Sequence, residues 1–312
     1  DIEQVPTRQG YGEGLILAGK ENPNVVALCA DLTDSTKTGM FRKEFPDRFI
    51  EVGIMEQHMA SLASGLAAAG KVPFIASYAM FSPGRNWEQI RTTVCYNDMN
   101  VKIAGAHSGV SVGPDGATHQ ATEDIAITRV IPRMTVIVPC DSIETKKATL
   151  AAARMKGPIY LRFAREKTPV ITTEETPFEI GKAEVYREGK DITIIACGPL
   201  VHEALKAAEE LSKENIEAEV INNHTIKLMD EKTILESVKK TKCVVAVEEH
   251  QAMGGLGSAV CEILSQNNPV PVEIIGVKDR FGESGEPNQL LEVFGLMAKD
   301  IISAAKKAIN RK

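Results

Sequence analysis

Two runs of short apolar stretches alternating with helical sequence, parted by a Pro- and Thr-rich segment, leave this chain few folds to adopt. In the first run, strand-like stretches begin near Val25, Phe49, Val72, Val101, Met134 and Ile159, with helices between. The alternation breaks over KTPVITTEETPFEIGKA, Lys167 to Ala183, and then starts again. Strands are expected at Asp191 to Cys197, Ala218 to Asn222, Cys243 to Glu248 and Val272 to Val277. Helices are expected at Val201 to Glu214, at Glu231 to Lys240, after the Gly-rich Gly254 to Gly257, and, with an amphipathic pattern, at Ala298 to Ile309. Such an order predicts an α/β protein with two doubly wound domains, their mostly parallel sheets covered by helices. The expected division is a first domain over 1–166, a linker over 167–184 and a second domain over 185–312. With 312 residues, 43% of them apolar, the chain can fill two cores.

Composition excludes several classes of function. A formal net charge of -6 with scattered Lys and Arg gives no general affinity for nucleic acid, so any phosphate site must be local. The six cysteines, at 29, 95, 140, 197, 243 and 261, show no close spacing, which argues against zinc and iron-sulfur sites and for reduced thiols. No signal peptide is evident, and the apolar stretches fall far short of the roughly 18 residues a membrane span needs. A cytoplasmic protein with no membrane contact is expected.

The segment FIEVGIMEQHMASLASGL, Phe49 to Leu66, sets one carboxylate, Glu56, at the head of a helix with little polar surface. Phe49 to Ile54 reads as a buried strand ending at Gly53, and Met55 to Ala69 as a helix stopped by Gly70. Small residues on several faces of that helix suit close packing between layers or against another subunit. A desolvated Glu56 would be hard to ionise and able to share a proton with a ligand nitrogen. The plainer alternative is a first-turn Glu stabilised by the helix dipole and open to water. A second segment, Val101 to Pro139, reads as strand, Gly-rich loop, helix, strand. In its loop His107, Asp115 and His119 alternate with Gly105, Gly109, Gly113 and Gly116, presenting polar groups after a strand's carboxyl end, where parallel α/β sheets place ligands.

With these segments in view the chain resembles the transketolase family, specifically its carboxyl-terminal half. The matching pieces are CADLTDST (Cys29 to Thr36), VGIMEQHM (Val52 to Met59), Tyr78 to Arg91, AHSGVSVGPDGATHQ (Ala106 to Gln120) and VPCD (Val138 to Asp141). They fall in order within the first half of the chain, and the carboxyl-terminal third is compatible but less specific. The resemblance implies a thiamine diphosphate enzyme. A Glu at the position of Glu56 contacts the aminopyrimidine ring nitrogen and favours the imino tautomer that takes the proton from the thiazolium carbon. Tyr78 and Phe81 stand where the family supplies aromatics that pack on the aminopyrimidine, and Asp31 matches an acidic residue near the cofactor. Arg8, Ser35, His107 and Arg165 match groups gathered around the terminal phosphate of the substrate, where guanidinium groups offer paired donors. Asp115 and His119 match positions that hydrogen-bond sugar hydroxyls, with His119 also counted among the catalytic residues. Each has a plain structural alternative: a surface charge for Arg8, turn residues for Asp31 and Ser35, a linker charge for Arg165, core packing for the aromatics. The FARE context of Arg165 matches only loosely, and the SPGRN stretch, Ser82 to Asn86, departs from the family pattern, so no role is assigned there.

The family holds the cofactor diphosphate through a divalent metal bound by a GDG motif, and no GDG occurs in this sequence. PDG at Pro114 to Gly116 already belongs to the substrate loop, and no Asp-rich loop replaces the motif. Transketolases of the family are also longer chains. These features together lead to the expectation of a split enzyme, in which an amino-terminal transketolase subunit brings the diphosphate and a magnesium or calcium ion. No metal ligand is assigned to this chain. A heterotetramer in the pentose phosphate pathway is expected, with self-association, small sugar phosphates as substrates and transfer of a two-carbon ketol unit. Alternatives on the same scaffold are the beta subunit of a 2-oxo-acid dehydrogenase, a deoxyxylulose phosphate synthase type, or a non-catalytic assembly subunit. The THQ ending of the substrate loop and His107 favour transketolase, and the intact polar constellation disfavours an inert subunit. A rival phosphate site at Gly254 to Gly257 is weakened by the acidic VEEH run just before it. His224 and His250 are expected to pack or to serve an interface.

Overall fold

The structure is a computed structural model and describes residues 2–312. Along the chain the strands are Gln4–Pro6 (β1), Val25–Cys29 (β2), Phe49–Glu51 (β3), Val72–Tyr78 (β4), Lys102–Ala106 (β5), Thr135–Ile137 (β6), Ile159–Arg162 (β7), Lys167–Pro169 (β8), Glu184–Arg187 (β9), Ile192–Ala196 (β10), Ala218–Asn222 (β11), Thr225–Lys227 (β12), Val244–Gln251 (β13) and Val272–Val277 (β14). Two sheets hold most of them, in the orders β12-β6-β7-β5-β4-β2-β3 and β14-β13-β10-β11-β9. Every pairing is parallel except those of the edge strands β12 and β9. The chain is thus α/β, with two mostly parallel sheets covered by helices.

The parallel strands read as continuous apolar runs because both of their faces are covered. In β2, Val25, Ala27 and Cys29 face a core with Tyr11, Leu15, Phe41 and Phe74, while Val26 and Leu28 face the opposite core with Met59, Ala63, Ile75 and Ile103. The helix Thr7–Glu21 lies tight against Ser142–Arg154 through two glycines. A Cβ at Gly10 would stand 1.8 Å from the Ser142 carbonyl oxygen, and one at Gly14 2.6 Å from that of Lys146.

Three features differ from the sequence expectations. The strand expected over Phe49 to Ile54 stops at Glu51 and is half-exposed, because it is the edge of its sheet. The linker is partly ordered: β8 pairs antiparallel with β1, Gln4 opposite Pro169 and Pro6 opposite Lys167. Finally, β12 comes from the second half of the chain but pairs with β6, Thr225 opposite Ile137. The three residues of β6 are fully buried, and this strand borrowed from the second half covers an edge whose backbone groups would otherwise lack partners.

Candidate active site

The carboxyl ends of β2, β3, β4, β5 and β7 and the segments that follow them carry every candidate cofactor- or substrate-binding residue except Arg8, which sits in the first turn of Thr7–Glu21. After β3 the chain turns at Gly53 (φ 70°) and enters the helix Glu56–Ala68. That helix buries Glu56, Met59, Ala60 and Ala63, and only 1% of Glu56 is exposed, so the solvent-open alternative does not hold. Nor is the carboxyl group alone in apolar surroundings. Arg85 Nη1 donates to Glu56 Oε2 at 2.8 Å, and the Asn86 side chain donates to the Glu56 carbonyl at 3.1 Å. The SPGRN stretch, given no role from sequence, therefore supplies the counter-charge of this acid. The Arg85 guanidinium also lies over the Phe81 ring, 4.8 Å from its centroid.

Four rings form a cluster beside this pair. Tyr78 stacks on His107 with centroids 3.8 Å apart and lies parallel to Phe81 at 6.0 Å. His119 meets Phe81 edge-on at 5.4 Å and Tyr78 at 6.2 Å. His107 adopts a left-handed backbone (φ 53°), unusual for a side chain with a Cβ, and its Nδ1 is buried without a partner among the described residues. Burial, helped by the nearby Arg8, Arg165 and His119, pulls its pKa down to about 3, so the imidazole is neutral over the physiological range.

The guanidinium groups of Arg8 and Arg165 lie close enough to repel one another. Arg8 donates to the Ser35 carbonyl at 2.9 Å and leaves its Nε buried and, among the described residues, unpartnered. Its pKa is lowered by burial and then by the repulsion of Arg165. Arg165 donates to the Val112 carbonyl at 2.7 Å and stands 3.8 Å from Asp115 Oδ1, which ties it to the Gly-rich loop. A second cation that lowers the pKa of Arg8, beside the donor Arg8 leaves unused, makes a seat for an anion. Asp31 is exposed at the end of β2, its amide held by Glu51 Oε1 at 2.8 Å.

Residues of the second unit grip the same loop, and sequence reading missed them. Glu249 Oε1 accepts the Ser111 amide at 2.6 Å, and a Cβ at Gly109 (φ 81°) would stand 2.2 Å from that oxygen. Gln120 Nε2 donates to the carbonyls of Val110 and Glu283, each at 2.9 Å. The acidic run after an apolar strand was the available signal for Glu249. Its neighbour Glu248 answers the rival phosphate reading. Its two oxygens accept the amides of Leu256 and Gly257 at 2.7 and 2.8 Å, so a carboxylate of the chain itself fills that helix start. His250 accepts the Ala126 amide at 3.2 Å, joining the two units, and His224 packs on Phe178 with centroids 4.3 Å apart. Among the described residues no three His, Cys, Asp or Glu side chains are grouped to hold a metal ion, and no helix is long and apolar enough to cross a membrane.

Comparison with known proteins agrees with this geometry. Residues 3–170 match the family of transketolase pyrimidine-binding domains, and residues 181–301 that of transketolase C-terminal domains. Over 308 residues the chain is 48% identical to a protein of Methanocaldococcus jannaschii named "Putative transketolase C-terminal section", covering 96% of each. It is 42% identical to a 6-deoxy-6-sulfo-D-fructose transketolase subunit of a Clostridium species, covering all of this chain and 97% of that one. Human transketolase is 38% identical, but this chain spans only 50% of it. Among solved structures, a split-gene transketolase described as an inactive beta4 tetramer superposes with a TM-score of 0.93 at 44% identity, over 99% of both chains.

Proposed function

The chain belongs to the transketolase family, whose pyrimidine-binding and C-terminal domains it carries, and on that premise we propose that it is the carboxyl-terminal subunit of a split transketolase. Its reaction is transfer of a two-carbon ketol unit between ketose and aldose phosphates. The observation that carries this reading is the convergence of a buried acid, stacked aromatics and neighbouring guanidinium groups at the carboxyl ends of the strands of one sheet. These residues fit thiamine diphosphate: Phe81 and Tyr78 offer ring faces for the aminopyrimidine, and Glu56 offers a buried carboxyl group for its ring nitrogen. When bound, the cofactor supplies a nucleophilic carbon that can accept and release a ketol fragment. The chain's own residues do the rest. Glu56 would hydrogen-bond the ring nitrogen and hold a proton there, and the aromatic cluster would keep water from the reacting face. Neutral His107, together with His119, offers hydrogen bonds to the substrate, Asp115 takes a sugar hydroxyl, and Arg8 and Arg165, with Ser35, hold its terminal oxyanion. Asp31 stands at the cofactor's rim.

The diphosphate and its magnesium or calcium ion fall to an amino-terminal partner subunit. Apolar surface beside the acid supports such a contact, with Ile54, Met55 and Met80 exposed next to the buried Glu56. Self-association into a heterotetramer in the cytoplasm, within the pentose phosphate pathway, completes the proposal. The six cysteines are free, five of them buried, in keeping with a reducing compartment. Guanidinium pairs read a tetrahedral oxyanion, phosphate or sulfonate, and the sulfosugar relative makes 6-deoxy-6-sulfofructose a second donor worth assaying. The test is a coupled assay of ketol transfer from xylulose 5-phosphate to ribose 5-phosphate, with thiamine diphosphate and magnesium. Run with the chain alone and then with a GDG-bearing partner, it should give activity only in the mixture. Activity in neither, across candidate partners, overturns the reading, and activity of the lone chain overturns the division of labour.

A further inference from the structure

Arg85 belongs to the stretch for which the family pattern gives no role, yet it makes the two contacts a planar, nitrogen-rich ring would need here. Its Nη1 donates to Glu56 Oε2 at 2.8 Å, and its flat guanidinium lies 4.8 Å from the Phe81 centroid. Glu56 is 1% exposed and its Oε2 is taken by Arg85, so a ligand that binds this oxygen must displace the guanidinium. The Arg85 side chain is 46% exposed, so withdrawal takes the guanidinium into water. Its backbone, by contrast, is fixed. The Arg85 amide donates to the Phe81 carbonyl at 2.8 Å, its carbonyl accepts from Gln57, and a Cβ at Gly84 would stand 1.9 Å from the Met80 carbonyl oxygen. The arm swings from an anchored base.

Resting on the assignment of Glu56 and Phe81 to the cofactor ring, we propose that Arg85 is a resident stand-in for the aminopyrimidine. It neutralises the buried acid and covers the aromatic face while the ring is absent, and it must be displaced when the ring binds. Arg85 is thus a positioning residue that sets cofactor affinity. An exposed-side ion pair and a cation–π contact together weaken ring binding roughly fivefold to thirtyfold.

The test uses the whole chain and a probe that needs no diphosphate, metal or partner: 4-amino-5-hydroxymethyl-2-methylpyrimidine, followed by saturation-transfer NMR and calorimetric titration. Arg85→Met should bind it about tenfold more tightly than the parent chain. Arg85→Lys keeps the charge opposite Glu56 but loses the planar face, so it should fall between the two, and it serves as the folded control if Arg85→Met does not fold. Phe81→Ala and Glu56→Gln should bind more weakly than the parent. Affinity of Arg85→Met equal to or below the parent's, or undetectable at millimolar pyrimidine, overturns the stand-in role. If Phe81→Ala and Glu56→Gln leave affinity unchanged, the assignment of the ring site itself fails, and the stand-in role falls with it.

Discussion

Lys102 lies buried on β5 with no acidic partner among the described residues, its Nζ donating to the carbonyls of Met155 and Gly157 at 2.7 Å each. Burial lowers its pKa to about 7. Unfolded, the same amine titrates near ~10.4, so between these values the folded chain binds fewer protons and gains stability as pH rises. Lys102→Met should remove this part of the slope: denaturant unfolding from pH 7 to 10 should show a flatter profile in the variant. Glu249 gives a second prediction. Leucine in its place strands the Ser111 amide, which costs about 1–3 kcal/mol and loosens the substrate loop. In the assembled enzyme the KM for the sugar phosphate should rise more than kcat falls; equal KM values would deny the loop its clamp. At this scale the sequence was legible where residues cluster locally. Glu56, His107, Asp115 and His119 sit in two short motifs, whereas Glu249 meets a loop 138 residues away. Arg85 escaped notice because its partners, 4 and 29 residues back, become neighbours only when a strand and a helix close on them.

Among the elements, the helix pair at the back of the first sheet is the least forgiving. Gly10→Ala pushes a methyl into the Ser142 carbonyl, and a loss of about 3 kcal/mol is expected in denaturant titration, with no change in the aromatic cluster. The helix Leu256–Asn267 depends on Glu248 in another way. Gln in its place removes the negative charge at two amides and should cost about 1–2 kcal/mol, without creating affinity for inorganic phosphate. Apolar periodicity locates the interior strands and the amphipathic helices, since burial on one or both faces writes itself into local sequence. It failed for β9, β12 and the β1–β8 ribbon. These short strands are fixed by the edge they meet, which lies far away in sequence.

At the scale of the molecule, a buried ion pair of the first unit reaches into the second through its arginine. Arg162 Nε bonds Asp124 Oδ2 at 2.7 Å, and its Nη2 reaches the Glu249 carbonyl of β13 at 2.8 Å. Asp124→Asn leaves a buried guanidinium without its counter-ion and should cost about 3–5 kcal/mol, splitting one calorimetric transition into two as the units uncouple. A single transition at unchanged temperature would show that the units are held elsewhere. The pairing of β12 with β6 reaches further still, into how the protein is made. A nascent or proteolysed chain that stops within 167–184 has its first sheet complete but for one apolar margin, formed by Thr135, Val136 and Ile137. Such a fragment carries an open zipper, ready to close on another copy of itself. Ribosomal pausing or nicking there should yield strand-to-strand polymers, whereas cleavage beyond Lys227 should leave the first sheet closed and soluble.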